Sequence, residues 1–327
     1  MRGVSGWGTV AAAAALAVVA AVGPAAAQEW PQRTIKMVIG FGAGGGTDIV
    51  GRIVAQRMQE TLGHPVVVEN KPGAGGITAA DTVARAEADG YTLYMMNNAH
   101  IIAGVMNKSL PYDTVKSFAP VGQIATAGLI IVTRPDFPAG NVKDLIAAAK
   151  ANPGKITFAS VGVGSTQHFT GELFKQAAGI DMLHVPFRRS PEAIAAVLGK
   201  QVDVLFETVS AVLGQVQSGE LKPIAVTGKE RFPAVPSVPA AMESGAVPDY
   251  EVATWYGLIA PRGTPTPIVA KLNRTLNAII AEPEVRARLT QAGVIAQGSS
   301  PEAFGRHLES EFARWDAVRE RAGIAQR

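Results

Sequence analysis

The sequence predicts an α/β fold built as two lobes. Three observations carry that reading. Short β-rich runs alternate with helical stretches from Ile35 onward, and the strand-loop-helix opening of the first half recurs in the second. The chain of 327 residues, less an N-terminal leader of 27, also exceeds the size at which one hydrophobic core normally stops growing. Alternation of strands and helices is the pattern of parallel sheets covered by helices.

The leader comes first. Met1 and Arg2 precede an apolar run from Thr9 to Val22, which ends in Gly23-Pro24 and the small residues Ala25 to Ala27. This is the form of a secretory signal peptide, cleaved before Gln28. A retained anchor would need about 20 uninterrupted apolar residues without the helix breaker. No later segment is long and apolar enough to span a bilayer, so the expectation is a periplasmic chain, soluble after export.

Ile35 to Ile39 reads as the first strand, followed by a glycine loop from Gly40 to Gly46 and a helix from Thr47 to Leu62 with Ile49, Ile53 and Met58 on one face. Gly63 stops that helix. Pro65 to Glu69 is a second strand, Lys71 to Gly76 a second glycine loop, Ile77 to Ala86 a helix and Tyr91 to Met96 a third strand. In the second half a helix from Val142 to Ala151 stops at Asn152-Pro153-Gly154, and a strand from Lys155 to Ala159 runs into a third glycine loop, Ser160 to Ser165. A helix (Gln167 to Ala178), strand (Met182 to Pro186), helix (Pro191 to Leu198) and strand (Val202 to Phe206) follow. Thr264 to Pro267 open a helix whose apolar stripe is Ile268, Leu272, Leu276 and Ile279. Ser300-Pro301 open the last, on which Phe304, Leu308, Phe312 and Trp315 recur at helical spacing and read as core.

A strand that ends in glycines and enters a helix presents unpaired N–H groups beside the positive end of the helix dipole, which is an anion nest. Glycine allows the close approach and the positive φ such a nest needs. All three loops fit, so an anion held mainly by backbone is expected. Gly40, Gly42 and Gly45 also match the spacing of a dinucleotide fingerprint, with Glu69 lying 24 residues beyond Gly45, where about 20 is usual. A nicotinamide-dependent oxidoreductase is therefore one alternative, opposed by export and by the second glycine loop that follows Glu69. A serine hydrolase using Ser165 and His168 is the other, opposed by the lack of a G-x-S-x-G elbow; the simpler reading has Ser165 capping a helix and His168 lining a cleft.

Composition removes further classes. There is no cysteine, hence no disulfide, thiolate metal site or cysteine nucleophile. The five histidines, His64, His100, His168, His184 and His307, show no metal-binding spacing. Loss of Arg2 with the leader leaves 29 Lys and Arg against 27 Asp and Glu, without a basic run longer than Arg188-Arg189, so nucleic acid is not an expected partner. No metal or cofactor is expected.

The residues Phe41-x-x-Gly44-Gly45-x-x-Asp48, Val68 to Gly76, Asp89 to Leu93, Ser160-x-Gly162-x-Gly164-Ser165-x-x-His168, His184 to Phe187, Gln201 to Val204 and Trp255-x-Gly257-Leu258-x-Ala260-Pro261 together make the chain resemble the Bug-type receptors of tripartite tricarboxylate transporters. The resemblance covers the whole of the chain after the leader. It implies a type II periplasmic-binding-protein fold, a Venus flytrap with two α/β lobes. It also implies that a carboxylate, mono- or dicarboxylate, is held in the cleft and delivered to a membrane permease by a protein that is not itself an enzyme. A monomer is expected.

The first and third glycine loops would face each other across the cleft. Carried over, the contacts are Phe41, Ala43, Gly45 and Asp48 from one lobe and Ser160, Val163, Gly164, Ser165 and His168 from the other, with Asn97, Asn98 and Ala99 adding selectivity. Four departures bear on the ligand: Ala43 for a common proline, Phe187 for a common tyrosine, Arg188-Arg189 for a Lys-Gly pair, and Glu207 for a common aspartate. Phe187 and Glu207 join the site on that basis. Arg188 would pair with a second carboxylate if it points into the cleft, and is otherwise a solvated loop arginine. The chain should cross between lobes in the strand Gly128 to Thr133 and again near Tyr250 to Leu258. Domain I is then 28–127 with 257–327, and domain II 128–256.

Overall fold

The computed structural model describes residues 30–321 and 326. The expected signal peptide and its cleavage point before Gln28 lie outside them. In chain order the first elements are β1 (Ile35–Ile39), α1 (Gly46–Leu62), β2 (Val66–Asn70), a 3-10 turn at Ala74–Gly76, α2 (Ile77–Ala84), β3 (Thr92–Asn97), α3 (Asn98–Met106) and the long strand β4 (Phe118–Thr133). There follow α4 (Val142–Ala151), β5 (Thr157–Ser160), α5 (Thr166–Ala178), β6 (Leu183–Pro186), α6 (Ser190–Leu198), β7 (Val204–Thr208), α7 (Val209–Ser218) and β8 (Lys222–Val226). The chain returns through β9 (Ala253–Pro261) to α8 (Thr266–Ala281), α9 (Pro283–Gln291), β10 (Ile295–Ala296) and α10 (Pro301–Arg321).

The strands run in the order β2-β1-β3-β9-β4-β7-β5-β6, with β8 and β10 also on β4. The outer parts are parallel: β1 pairs β2 and β3, and β5 pairs β6 and β7. The centre is antiparallel, unlike the all-parallel sheets expected from sequence. Here β4 and β9 run in opposite directions, because one carries the chain away from the first sheet and the other brings it back. From Phe118 to Gly128 β4 pairs β9, and from Leu129 to Thr133 it pairs β7 and β8, so the strand passes from one sheet to the next between Gly128 and Leu129. Backbone bonds from Val252 to Thr227 and from Thr227 to Leu129 tie the return beside this point.

Local sequence explains the elements that position the site. Gly63 ends α1 in the left-handed conformation, φ 70°, where its N–H reaches the Gln59 carbonyl. Ile53 and Met58 of that helix are buried, as are Leu272, Leu276 and Ile279 of α8. On α10 Phe304, Leu308 and Trp315 are buried and Phe312 packs beside them. Gly257 explains how α10 can lie so close to β9, since a Cβ there would fall 2.0 Å from the Phe304 ring. The buried Glu311 then accepts hydrogen bonds from both indole N–H groups, Trp255 at 3.0 Å and Trp315 at 3.1 Å. It thereby satisfies two donors that an apolar seam would otherwise orphan. Among the described residues no helix is long and apolar enough to cross a membrane.

Candidate functional site

The first glycine loop joins β1 to α1 and is pinned by Asp48 in the first turn of the helix. The Asp48 carboxylate accepts from the Gly44 N–H at 3.0 Å, from Arg52 Nε at 3.0 Å and from Asn70 Nδ2 at 2.9 Å. Asn70 Nδ2 also donates to the Phe41 carbonyl at 2.9 Å. Burial opposes ionisation of Asp48, but the hydrogen bonds from Arg52, Gly44 and Asn70 outweigh it and hold the carboxyl below its ordinary value. The expected ligand contact at Asp48 is thus a side chain already committed to shaping the loop.

In the third loop Gly162 and Gly164 have φ of 120° and 86°, which a side chain would strain. Ser165 caps α5 by accepting from the His168 N–H at 3.2 Å. The His168 ring accepts from the Gly164 N–H at Nδ1, 3.2 Å, and stacks on His184 at 4.0 Å between centroids. His184 Nε2 lies 2.7 Å from Ser160 Oγ. Burial, and then the neighbouring His168, lowers the His184 pKa to about 4, so the His184 ring is neutral near pH 7. Ser165 contributes its hydroxyl to the helix cap, the simpler of the two roles weighed from the sequence.

The first and third loops both line one cavity, and direct contacts between other segments close its sides. The second loop touches the third: a Cβ on Gly75 would lie 3.2 Å from the Gly164 carbonyl. The first loop instead meets the segment before and within α6, where a Cβ on Gly42 would fall 2.3 Å from Arg189 Cγ, one on Gly44 3.0 Å from Pro191 Cγ, and one on Gly45 3.2 Å from Ser190 Oγ. A cavity of about 490 Å³ lies between the loops, with Gly40, Phe41 and Pro72 to Gly75 on one side and Val161 to Val163, Phe187 and Arg188 on the other. A smaller cavity of about 20 Å³ adjoins it and shares Phe41, Val161 and Arg188 with it.

Five helices begin at the smaller cavity. Its lining includes Gly45, Gly46 and Thr47 at the start of α1, Asn97 capping α3, Gln167 in the first turn of α5, Ser190 opening α6 and Thr208 at the N-terminal boundary of α7. No acid lines it. Beneath it stands Glu207, fully buried on β7. Its Oε1 accepts from Gln167 Nε2 at 2.7 Å, from the Thr208 N–H at 2.6 Å and from Thr208 Oγ1 at 3.1 Å, while Oε2 has no partner among the described residues. Burial pushes the Glu207 carboxyl up despite these bonds and one from Ser190. These bonds tie it to Gln167, Ser190 and Thr208.

Of the residues expected in the site, Phe41, Gly45 and Asn97 line the small cavity, and Phe41, Val163 and Phe187 the larger. Gly164 and His168 line a third cavity of about 390 Å³, together with Val163. Ala43 is exposed and lines none of these three. Asn98 is buried, its Oδ1 accepting from Thr166 at 2.8 Å and Thr254 at 2.7 Å, and the Ala99 N–H is taken by Asn97 Oδ1. Thr47, Gln167, Ser190 and Thr208 were not expected; their signal in the sequence is a polar residue at or beside a helix start.

Residues 50–324 match the model of the tripartite tricarboxylate transporter family receptor. The chain belongs to that family. Among solved structures it is similar to the periplasmic binding protein BugD, with 37% identity, a TM-score of 0.87, and 91% of this chain and 100% of that one covered. Rpa4515 of R. palustris, solved with adipate, is 34% identical with a TM-score of 0.87, covering 91% of this chain and 99% of the other. MatC of Rhodopseudomonas palustris, with bound malate, is 33% identical with a TM-score of 0.84, covering 88% and 99%. The chain has the two-lobed fold of periplasmic binding proteins, and its family and neighbours are solute-binding receptors, not enzymes.

The burial of Glu207 has a consequence for stability. Its folded-state pKa is raised, so the folded chain binds the proton more tightly than the unfolded chain does. This contribution is complete below the unfolded pKa of about 4.5 and is lost as pH rises through the folded value. Glu207→Gln keeps an acceptor for Thr208 and has no proton to lose, so the variant should gain stability over the parent as pH rises from 5 to 9. Urea denaturation at several pH values checks this; parallel curves for the two proteins would show that Glu207 is ionised in the fold.

Proposed function

We propose that the chain is exported, is cleaved before Gln28, and acts in the periplasm as a monomeric receptor. It captures a small carboxylate between its lobes and delivers it to the membrane permease of a tripartite tricarboxylate-type transporter. The lobes are residues 28–127 with 257–327, and residues 128–256. The observation that carries this reading is the convergence of five helix N-termini on one acid-free cavity between the glycine loops. Each terminus brings unpaired N–H groups and about half a positive charge, so a carboxylate gains several donors without a dedicated cation. The adipate and malate held by two neighbours are ligands of this chemistry.

The ligand-contacting set is then Phe41, Gly45, Asn97, Val163, Gly164, His168 and Phe187, extended by Thr47, Gln167, Ser190 and Thr208. Asp48, Asn98, Ala99, Ser160, Ser165 and Glu207 support it from behind, and Ala43 lies at its rim. Thermal unfolding with adipate, malate, NAD or NADP tests the reading. A ligand at a hundred times its Kd adds about 2.7 kcal/mol of stability, so at least one carboxylate should raise the Tm by several degrees and neither nucleotide should. A nucleotide-dependent rise with none from any carboxylate would reverse the assignment.

A further inference from the structure

Two arginines stand side by side at the mouth of the cleft, and Glu192, hydrogen-bonded to the Arg189 side chain, also attracts Arg188. Arg189 is bound to Glu192, Nε to Oε1 at 2.8 Å. Arg188 is exposed, lines both the small and the larger cavity, and is the one charged residue in the lining of the larger. Among the described residues none makes a hydrogen bond or an ion pair with its guanidinium. The remaining side-chain walls of the larger cavity are apolar: Phe41, Pro72, Ala74, Val161, Val163 and Phe187. Phe41, Val161 and Arg188 are shared by the two cavities, so a molecule with one carboxylate at the helix N-termini and its chain in this apolar space passes within reach of Arg188.

We propose that Arg188 is the specificity residue for the far end of the ligand, selecting unsubstituted aliphatic dicarboxylates. Their methylene spacer lies between Phe41, Val161, Val163 and Phe187, and their second carboxylate is clamped by the guanidinium. The planar fork of arginine fits a carboxylate bidentately, and an exposed arginine gives up little hydration to do so. A hydroxyl on the spacer would lose its water against apolar side chains without gaining a partner, so adipate is favoured over malate. The inference rests on the proposed function and assigns the cleft's second charge site.

Isothermal titration of the parent, Arg188→Gln and Arg188→Lys with adipate, hexanoate and malate tests it. The parent should bind adipate at least tenfold more tightly than hexanoate or malate. Arg188→Gln should lose about tenfold or more for adipate while hexanoate changes less than threefold, the size expected for one charge-assisted contact. Arg188→Lys should recover part of the loss. Unchanged adipate affinity in Arg188→Gln, an equal loss for hexanoate, or a parent that prefers malate would each overturn the assignment. A parent that binds none of the three overturns the carboxylate-receptor reading itself, and the role of Arg188 with it.

Discussion

Replacing Gly46 with valine should abolish ligand binding while leaving most of the fold intact. Gly46 opens α1, and a Cβ there would lie 2.4 Å from the Tyr256 hydroxyl, 2.7 Å from Ser210 Oγ and 2.7 Å from Thr208 Oγ1. Thr208 and Ser210 belong to the β7-α7 junction, so the clash falls where the two halves of the site meet. Real Cβ atoms essentially never sit so close to backbone or packed neighbours, and the two extra methyl groups of valine enlarge the clash. Relief requires the first glycine loop to withdraw from Thr208, which breaks the convergence of helix ends around the small cavity. The expected loss of affinity exceeds a hundredfold for adipate, whatever part Arg188 plays. Titration calorimetry, with small-angle scattering to follow the separation of the lobes, checks it. Parent-like affinity in Gly46→Val would mean that the ligand sits elsewhere.

A second large effect is expected far from the cleft. Glu311→Ala would strip the acceptor from two buried indole N–H groups and leave Arg314, 3.2 Å away, without its carboxylate. An orphaned buried donor costs about 1–3 kcal/mol and two are left here, while the half-exposed Arg314 adds little, so the loss should be about 2–6 kcal/mol. Glu311→Gln retains one carbonyl acceptor and should recover at least half. Denaturant unfolding resolves the two variants. A loss under about 1 kcal/mol in the alanine variant would show that water replaces the carboxylate and that α10 is not anchored this way.

Much of the fold was legible because the chain punctuates itself. Gly63, the Asn152-Pro153-Gly154 stop and the proline-rich opening before Thr266 mark helix ends, and the apolar period of three and four places Leu272, Leu276, Phe304 and Leu308 in the core. Of the elements not read from the sequence, two show opposite reasons. The α3 helix is buried nearly all round, so it carries no amphipathic period. The long strand β4 starts ten residues before Gly128, where Pro120 and Gly122 interrupt the apolar pattern and the register with β9 shifts at those positions.

The site was legible where glycine is obligatory and obscure where position comes from topology. The three loops could be read from their glycines. That Ser190 and Thr208 belong with Gly45 and Thr47 depends on β7 and β5 being laid beside β4, a long-range pairing that no local pattern encodes. Asp48 shows the converse: its spacing from Gly44 and Gly45 was plain, but only the bonds to Arg52 and Asn70 reveal that its carboxylate serves the loop.

A ligand carboxylate should sit where helix N-termini from both sides of the cleft converge. A crystal structure of the protein grown with adipate, or isolated from its own host with a co-purified ligand in place, tests it most directly. One carboxylate should lie within hydrogen-bond distance of backbone N–H groups near Gly45 and Gly46 and of the side chains of Thr47, Ser190 or Thr208. A carboxylate bound outside the loops, or held by Arg188 and Arg189 with no backbone donor, would contradict it.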